Sequence, residues 1–322
     1  MQTLATKIHA DNAAGIAMAA AIIQADGIVA FPTETVYGLG ANARSPRAVA
    51  KIYEAKGRPT FNPLIAHVSG IEEAFQYGEF SNQARWIAER FWPGPLTLIV
   101  PAREGICELA RAGLDSVGLR VPASATARAL IKASGCPLAA PSANRSGHVS
   151  PVTAAHVLAD LDGRIDMVLE GGASTVGVES TILSMLETVP RLLRAGGTTL
   201  EALEAQLGVR IATGPHAGES IIAPGQLTSH YAPQASIRLD ATALERDEIG
   251  LDFAGQLAKS AKMGHRIMDL SPQGDLTEAA ANLFSYLRAL DEAKRQIAVA
   301  PIPHYGLGAA INDRLHRAAA KR

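Results

Sequence analysis

With 322 residues and a formal net charge of −1, the chain is long enough for two domains and has no overall electrostatic attraction for nucleic acid or an anionic membrane surface. Aromatics are only 5% of the residues while glycine and alanine abound, which fits an α/β enzyme-like chain and argues against disorder. The two cysteines, Cys107 and Cys136, form no CxxC, so neither a disulfide framework nor a zinc site is suggested and a reducing cytoplasm is the simplest setting.

Ala13 to Ala25 reads as an amphipathic helix capped by Asp11 or Asn12 and stopped at Gly27, not as a signal peptide, because its basic region is thin and Gln24 and Asp26 interrupt it. No other segment approaches the length of a membrane span. A short buried strand, Ile28 to Phe31, then runs into Pro32-Thr33-Glu34-Thr35-Val36-Tyr37-Gly38-Leu39-Gly40. Hydroxyls, a carboxylate and a Gly-x-Gly turn after a strand are ingredients of a small-ligand pocket. The third glycine of a dinucleotide fingerprint is missing. Ser45 to Ala55 predicts a helix with Pro46 in its first turn, delivering Lys56 and Arg58 into Lys56-Gly57-Arg58-Pro59-Thr60-Phe61-Asn62-Pro63, which two prolines keep from being helical. Two cations on such a loop, leading into the apolar run Leu64-Ile65-Ala66, suit an anionic ligand, with phosphate first.

Further along, a helix is expected from Ser81 with Trp86, Ile87 and Phe91 in the core, then a strand from Leu96 to Val100. A strand through Asp115–Pro122 carries Arg120, and Ser124 and Gly135 bound the next helix. Two polar clusters follow at strand ends, Ala139 to Pro151 and Gly171 to Thr181, and Arg194 closes a later strand. Thr198-x-x-Glu201 reads as a capping box. Residues 210–235 lose periodicity and read as a linker ending in Tyr231-Ala232-Pro233. From Ser236, alternating strands and helices predict a small parallel α/β domain with a long helix from Asp275 and a terminal helix from about Leu307.

Walker A, kinase, HExxH and GxSxG patterns are absent, and the nine histidines show no metal-ligand spacing. What remains is a set of cations (Lys56, Arg58, Arg120, Arg194), hydroxyls (Thr35, Ser142, Ser150, Ser180), amides (Asn62, Asn144) and His67, with no evident nucleophile–base pair. Such a set suits a reaction between bound substrates, which the protein orients while neutralising phosphate charge.

Taken together and in order, FPTETVYGLGANA (31–43), KGRPTFNPLIAHV (56–68), FWPGPLTLIV (91–100), VGLRVPA (117–123), APSANRSG (140–147), GVESTI (177–182) and LLRAGG (192–197) resemble the YrdC-like family, the threonylcarbamoyl-AMP synthases. The resemblance covers about residues 10–210, and the linker and final domain resemble the long, two-domain subfamily. It implies a twisted mixed sheet with a large concave cavity for residues 1–209, a linker over the active site at 210–235, and a smaller Rossmann-like α/β domain at 236–322. The implied nucleotidyltransferase reaction converts L-threonine, bicarbonate or CO2, and ATP into threonylcarbamoyl-AMP and pyrophosphate. Magnesium is expected to arrive with ATP, and a separate transferase then uses the product on adenosine-37 of tRNA.

The family's KxR…SxN signature falls on Lys56, Arg58, Ser142 and Asn144. Its ATP contacts map to Arg58, Asn62, Ser116, Ser142, Ser150, Arg194 and Tyr231, and its threonine contacts to Thr35, His67, Arg120, Ala140 and Ser180. On this reading Lys56 and Arg58 face the triphosphate and Arg120 grips the threonine carboxylate with both arms of its fork. The linker departs from the family where basic residues often stand, with Leu227 and Ser229. Competing expectations are a double-stranded RNA or tRNA binder without turnover, which the net charge disfavours, and a threonine- or nucleotide-sensing module.

Overall fold

The computed structural model describes residues 5–214, 223–224, 231–261 and 265–320. Its N-terminal part is one mixed sheet of eleven strands. In spatial order they are Lys7–Ala10, Met167–Glu170, Val29–Phe31, Gly38–Asn42, Leu138–Ala139, Ile65–His67, Ser116–Arg120, Leu96–Pro101, Thr181–Ser184, Arg191–Arg194 and Ala212–Thr213. The central strands are buried along nearly their whole length, so they read as apolar runs and not as alternations.

Local chemistry sets the helix ends. Asn12, Ser45, Ser81, Ser124 and Thr153 each accept a backbone N–H in the first turn of the helix that follows. Gly57 and Gly135 end two of these helices in the left-handed conformation that glycine adopts without steric penalty. Two expectations need correction. The cap of the helix Leu200–Leu207 is Thr199, which accepts from Ala202 N. Thr198 is one residue too early and instead bonds Thr181 through its backbone. Trp86 is not core: it is 44% exposed, with Arg90 stacked on its ring.

The C-terminal part is a four-stranded parallel sheet in the order Ile237–Arg238, Ile297–Val299, Ile249–Asp252, Ile267–Asp269. The helices Leu276–Asp291 and Leu307–Ala319 pack together beside it. Asp275 caps the first by accepting from Thr277 and Glu278. Its apolar core is continuous with Val36, Val149, Val152 and Val178 of the large sheet domain, so the two parts share an interior and do not hang on a tether. No helix among the described residues is long and apolar enough to cross a membrane.

Candidate functional site

Strand register creates the site. Ile65–His67 runs parallel to Ser116–Arg120 with His67 opposite Arg120. Leu138–Ala139 runs antiparallel on its other side, with Leu138 opposite His67, and releases Ala140 beside Ile65, whose carbonyl accepts from the Ala140 N–H. Across the sheet, Thr181–Ser184 starts just after Ser180, and Arg191–Arg194 brings Arg194 opposite Ile182. These ends surround a cavity of about 590 Å³, its open mouth included. Thr35, Arg58, His67, Arg120, Ala140, Ser142, Ser180, Arg194 and Tyr231 line it. Residues separated by up to 196 positions thus converge on one space.

Five expected residues stand behind this wall. Lys56 does not sit on the loop. It ends the helix Pro46–Lys56, is 3% exposed, and donates its Nζ to the carbonyl of Ser142 at 2.6 Å and to that of Asn144. Asn144 accepts from Ser142 Oγ at 2.5 Å and donates to the carbonyls of Arg145 and His148. The Lys-x-Arg and Ser-x-Asn pieces are therefore one fastened unit, with Lys56 and Asn144 as the fasteners. Asn62 offers its backbone carbonyl to Arg58, and its buried side-chain Oδ1 has no hydrogen-bond partner among the described residues. Ser150 donates to Glu179, and Ser116 opens its strand opposite Pro101, outside the cavity lining.

The two cations on the cavity wall are unusual. Arg58 and Arg194 are nearly buried, yet their hydrogen bonds go to neutral oxygens: Asn62 and Pro63 for the first, Ser180 and Pro224 for the second. Burial lowers both, Arg58 to about 10. Desolvated guanidinium groups whose hydrogen bonds among the described residues go to neutral oxygens favour an incoming anion, although Arg194 also feels the Glu179 carboxylate.

Arg120 differs from expectation. Its Nη2 pairs with Glu34 at 2.6 Å and its Nε donates to the carbonyl of Gly94. Burial works to raise the Glu34 carboxyl, and Arg120 outweighs it and leaves it lowered. A bidentate grip on a ligand carboxylate is thus already half spent, and Nη1 is the arm that makes no hydrogen bond among the described residues.

His67 is neutral, pushed down to about 3 by burial and then by Arg120. Its Nδ1 lies 3.2 Å from the carbonyl of Ile65, which can only accept, so Nδ1 carries the proton and Nε2 is left as an acceptor. Ser180 Oγ bonds Thr97 and receives Arg194.

Three residues were missed. Glu34 and Glu179 were visible as the carboxylates of the two motifs that contain them. Arg314 also had a signal: with Ile311, Leu315 and Ala318 it falls on the apolar stripe of the terminal helix, where a charge is out of place. The linker positions Leu227 and Ser229 lie outside the described residues. Tyr231 is described, with φ of 62°, its ring stacked on Phe284 at 5.6 Å.

A mixed α/β sheet whose strand ends gather buried cations around a small-ligand cavity, with a second α/β domain packed against it, defines a two-domain α/β protein whose cavity is chemically suited to an anionic small molecule. A family model described as telomere recombination matches residues 21–196, and one described as the threonylcarbamoyl-AMP synthase C-terminal domain matches 198–320. The threonylcarbamoyl-AMP synthase of Bacillus subtilis is 43% identical over 323 residues, spanning 95% of this chain and 93% of that protein. That of Pyrococcus abyssi is 41% identical over 322 residues, spanning 95% and 94%. The crystal structure of P. abyssi Sua5 complexed with L-threonine superposes with a TM-score of 0.88 at 36% sequence identity, covering 98% of this chain and 97% of that one. The chain belongs to the two-domain threonylcarbamoyl-AMP synthase family.

Proposed function

We propose that the chain is an enzyme that makes threonylcarbamoyl-AMP and pyrophosphate from L-threonine, bicarbonate or CO2, and ATP, as a nucleotidyltransferase. The observation that carries this reading is one cavity lined by two chemically different sets of residues. Arg58, Arg194, Ser142 and Tyr231 suit a nucleotide, while Thr35, His67, Arg120, Ala140 and Ser180 suit a small amino acid. The bound L-threonine of the P. abyssi relative supports the second assignment.

In the proposed reaction the neutral threonine nitrogen bonds to the carbon of CO2 and releases a proton, or to that of bicarbonate with loss of water, and an oxygen of the resulting carbamate attacks the α-phosphorus of ATP. The bond to pyrophosphate breaks. The chain supplies no covalent nucleophile; it holds the reactants together and meets the charge moving onto pyrophosphate with Arg58 and Arg194. Arg120 receives the threonine carboxylate through its remaining arm, with Glu34 fixing the guanidinium plane. The neutral His67 accepts from the threonine hydroxyl at Nε2. Magnesium would come with the triphosphate, because Glu179 in the cavity wall and Glu34 behind Arg120 each pair with an arginine. The product would pass to a tRNA threonylcarbamoyl transferase, and any direct tRNA contact would be weak at a net charge of −1.

Threonine-dependent pyrophosphate release tests the reading. Threonine should be used at least about a hundredfold better than valine, since valine leaves buried polar atoms unpaired. Serine, which keeps the hydroxyl, should be a weak substrate. Equal release with valine and threonine would contradict the assignment of His67.

A further inference from the structure

Arg314 is a fully buried charge, 0% exposed on the terminal helix Leu307–Ala319. It belongs to the C-terminal domain but reaches three parts of the cavity wall. Its Nε donates to Glu179 Oε2 at 2.9 Å. Its Nη1 donates to the carbonyl of Ala195 at 2.7 Å, directly behind Arg194. Its guanidinium carbon lies 5.3 Å from the centre of the Tyr231 ring. Glu179, Arg194 and Tyr231 all line the cavity.

The Glu179 carboxylate is held from both sides. Ser150 of the large domain donates to Oε1 at 2.5 Å, and Arg314 of the C-terminal domain holds Oε2. The loop bearing Glu179 lies flush on that domain: at Gly177 an added Cβ would come within 2.3 Å of the Ala280 carbonyl. We propose that Arg314 is a positioning residue of the cavity, by which the C-terminal domain holds the Glu179 carboxylate in place and aimed at a hydrogen-bond donor of the bound substrates. This rests on the proposed reaction, in which the ribose hydroxyls of ATP and the threonine nitrogen and hydroxyl are such donors.

The titratable groups facing Glu179 are Arg314 from the terminal helix, which also pairs with Asp313, Arg194 from its strand, and Tyr231 from the linker. Burial works to raise its carboxyl, and Arg314 followed by Arg194 outweigh it, leaving Glu179 at about 2. Removing Arg314 leaves burial less opposed, so the value rises and Glu179 takes up a proton as the medium is acidified.

The test uses full-length protein and follows pyrophosphate release from about pH 5 to 8. Arg314→Met should lose about tenfold or more in kcat/KM and gain an acidic limb that the wild type lacks. Arg314→Lys should recover part of both. Glu179→Gln combined with Arg314→Met should be no worse than Glu179→Gln alone, because Arg314 acts through that carboxylate. Arg288→Met breaks a different inter-domain pair, with Asp160 at 2.7 Å, and should add no acidic limb. An unchanged pH profile in Arg314→Met and Arg314→Lys, or multiplied losses in the double variant, would reduce Arg314 to a fastener between domains. If Arg314→Met does not fold by thermal melting, Arg314→Lys alone and combined with Glu179→Gln decides. A wild type without turnover contradicts the proposed function instead, and ATP affinity of the same variants by calorimetry then reads the positioning role.

Discussion

Arg58→Ala is expected to lower turnover about a hundredfold, equivalent to ~3 kcal/mol of transition-state stabilisation, without loss of the fold. Its guanidinium is nearly buried against the cavity, and its hydrogen bonds among the described residues, at 3.2 to 3.4 Å, run to the backbone carbonyls of Asn62 and Pro63. A buried cation held so loosely contributes little to folding and much to an anion that arrives. Its charge is used most when negative charge builds on departing pyrophosphate. Thermal melting should show a midpoint unchanged or slightly raised, since a desolvated charge without a carboxylate partner is removed. Near-wild-type release by Arg58→Ala would take this residue out of the mechanism.

Lys56→Met should behave in the opposite way, losing stability and activity together. It strips the carbonyls of Ser142 and Asn144 of their donor deep in the structure. Leaving two buried acceptors unpaired costs about 3 kcal/mol, or roughly 6 °C or more in the melting midpoint. The segment that carries Ser142 then loosens, and turnover falls with it. A pH measurement separates this from a simple packing defect. Burial, with Arg58 adding to it, holds the Lys56 ammonium well below its ordinary 10.5. In that window the unfolded chain binds the proton and the folded chain does not, so unfolding takes one up and wild-type stability climbs with pH. The methionine variant lacks that climb. An equally steep rise in both proteins would assign the dependence to another group.

The local architecture was legible because its signals are short-range. Asn12, Ser45, Ser81 and Ser124 cap the helices their side-chain chemistry specifies, and Gly57 and Gly135 stop two of them. The capping box misled because Thr198 and Thr199 both present a hydroxyl, and only tertiary context chose between them. Trp86 misled for a related reason: helical periodicity cannot tell a core aromatic from one whose face is covered by Arg90 one turn later.

The cavity was partly legible. Polar clusters at strand ends marked Arg58, Ser142, Ser180 and Arg194, and the register that puts His67 beside Arg120 placed both on one wall. What the clusters could not show is direction. Lys56 and Arg58 are two positions apart, yet the end of the helix at Gly57 sends one inward to fasten a loop and leaves the other on the cavity wall. Pairings between distant residues were also hidden. Glu34 occupying Arg120, and Arg314 holding Glu179 across 135 positions, are products of the folded packing.

The central claim is that this cavity joins threonine, inorganic carbon and ATP into one product. The most direct measurement is mass spectrometry of full-length protein incubated with ATP, magnesium, L-threonine and carbon-13 bicarbonate. A threonylcarbamoyl-AMP species that carries the label, and that needs both threonine and ATP, is the predicted result. ATP turned over to AMP and pyrophosphate without label entering a threonine adduct, or no turnover despite binding of both ligands, would contradict it.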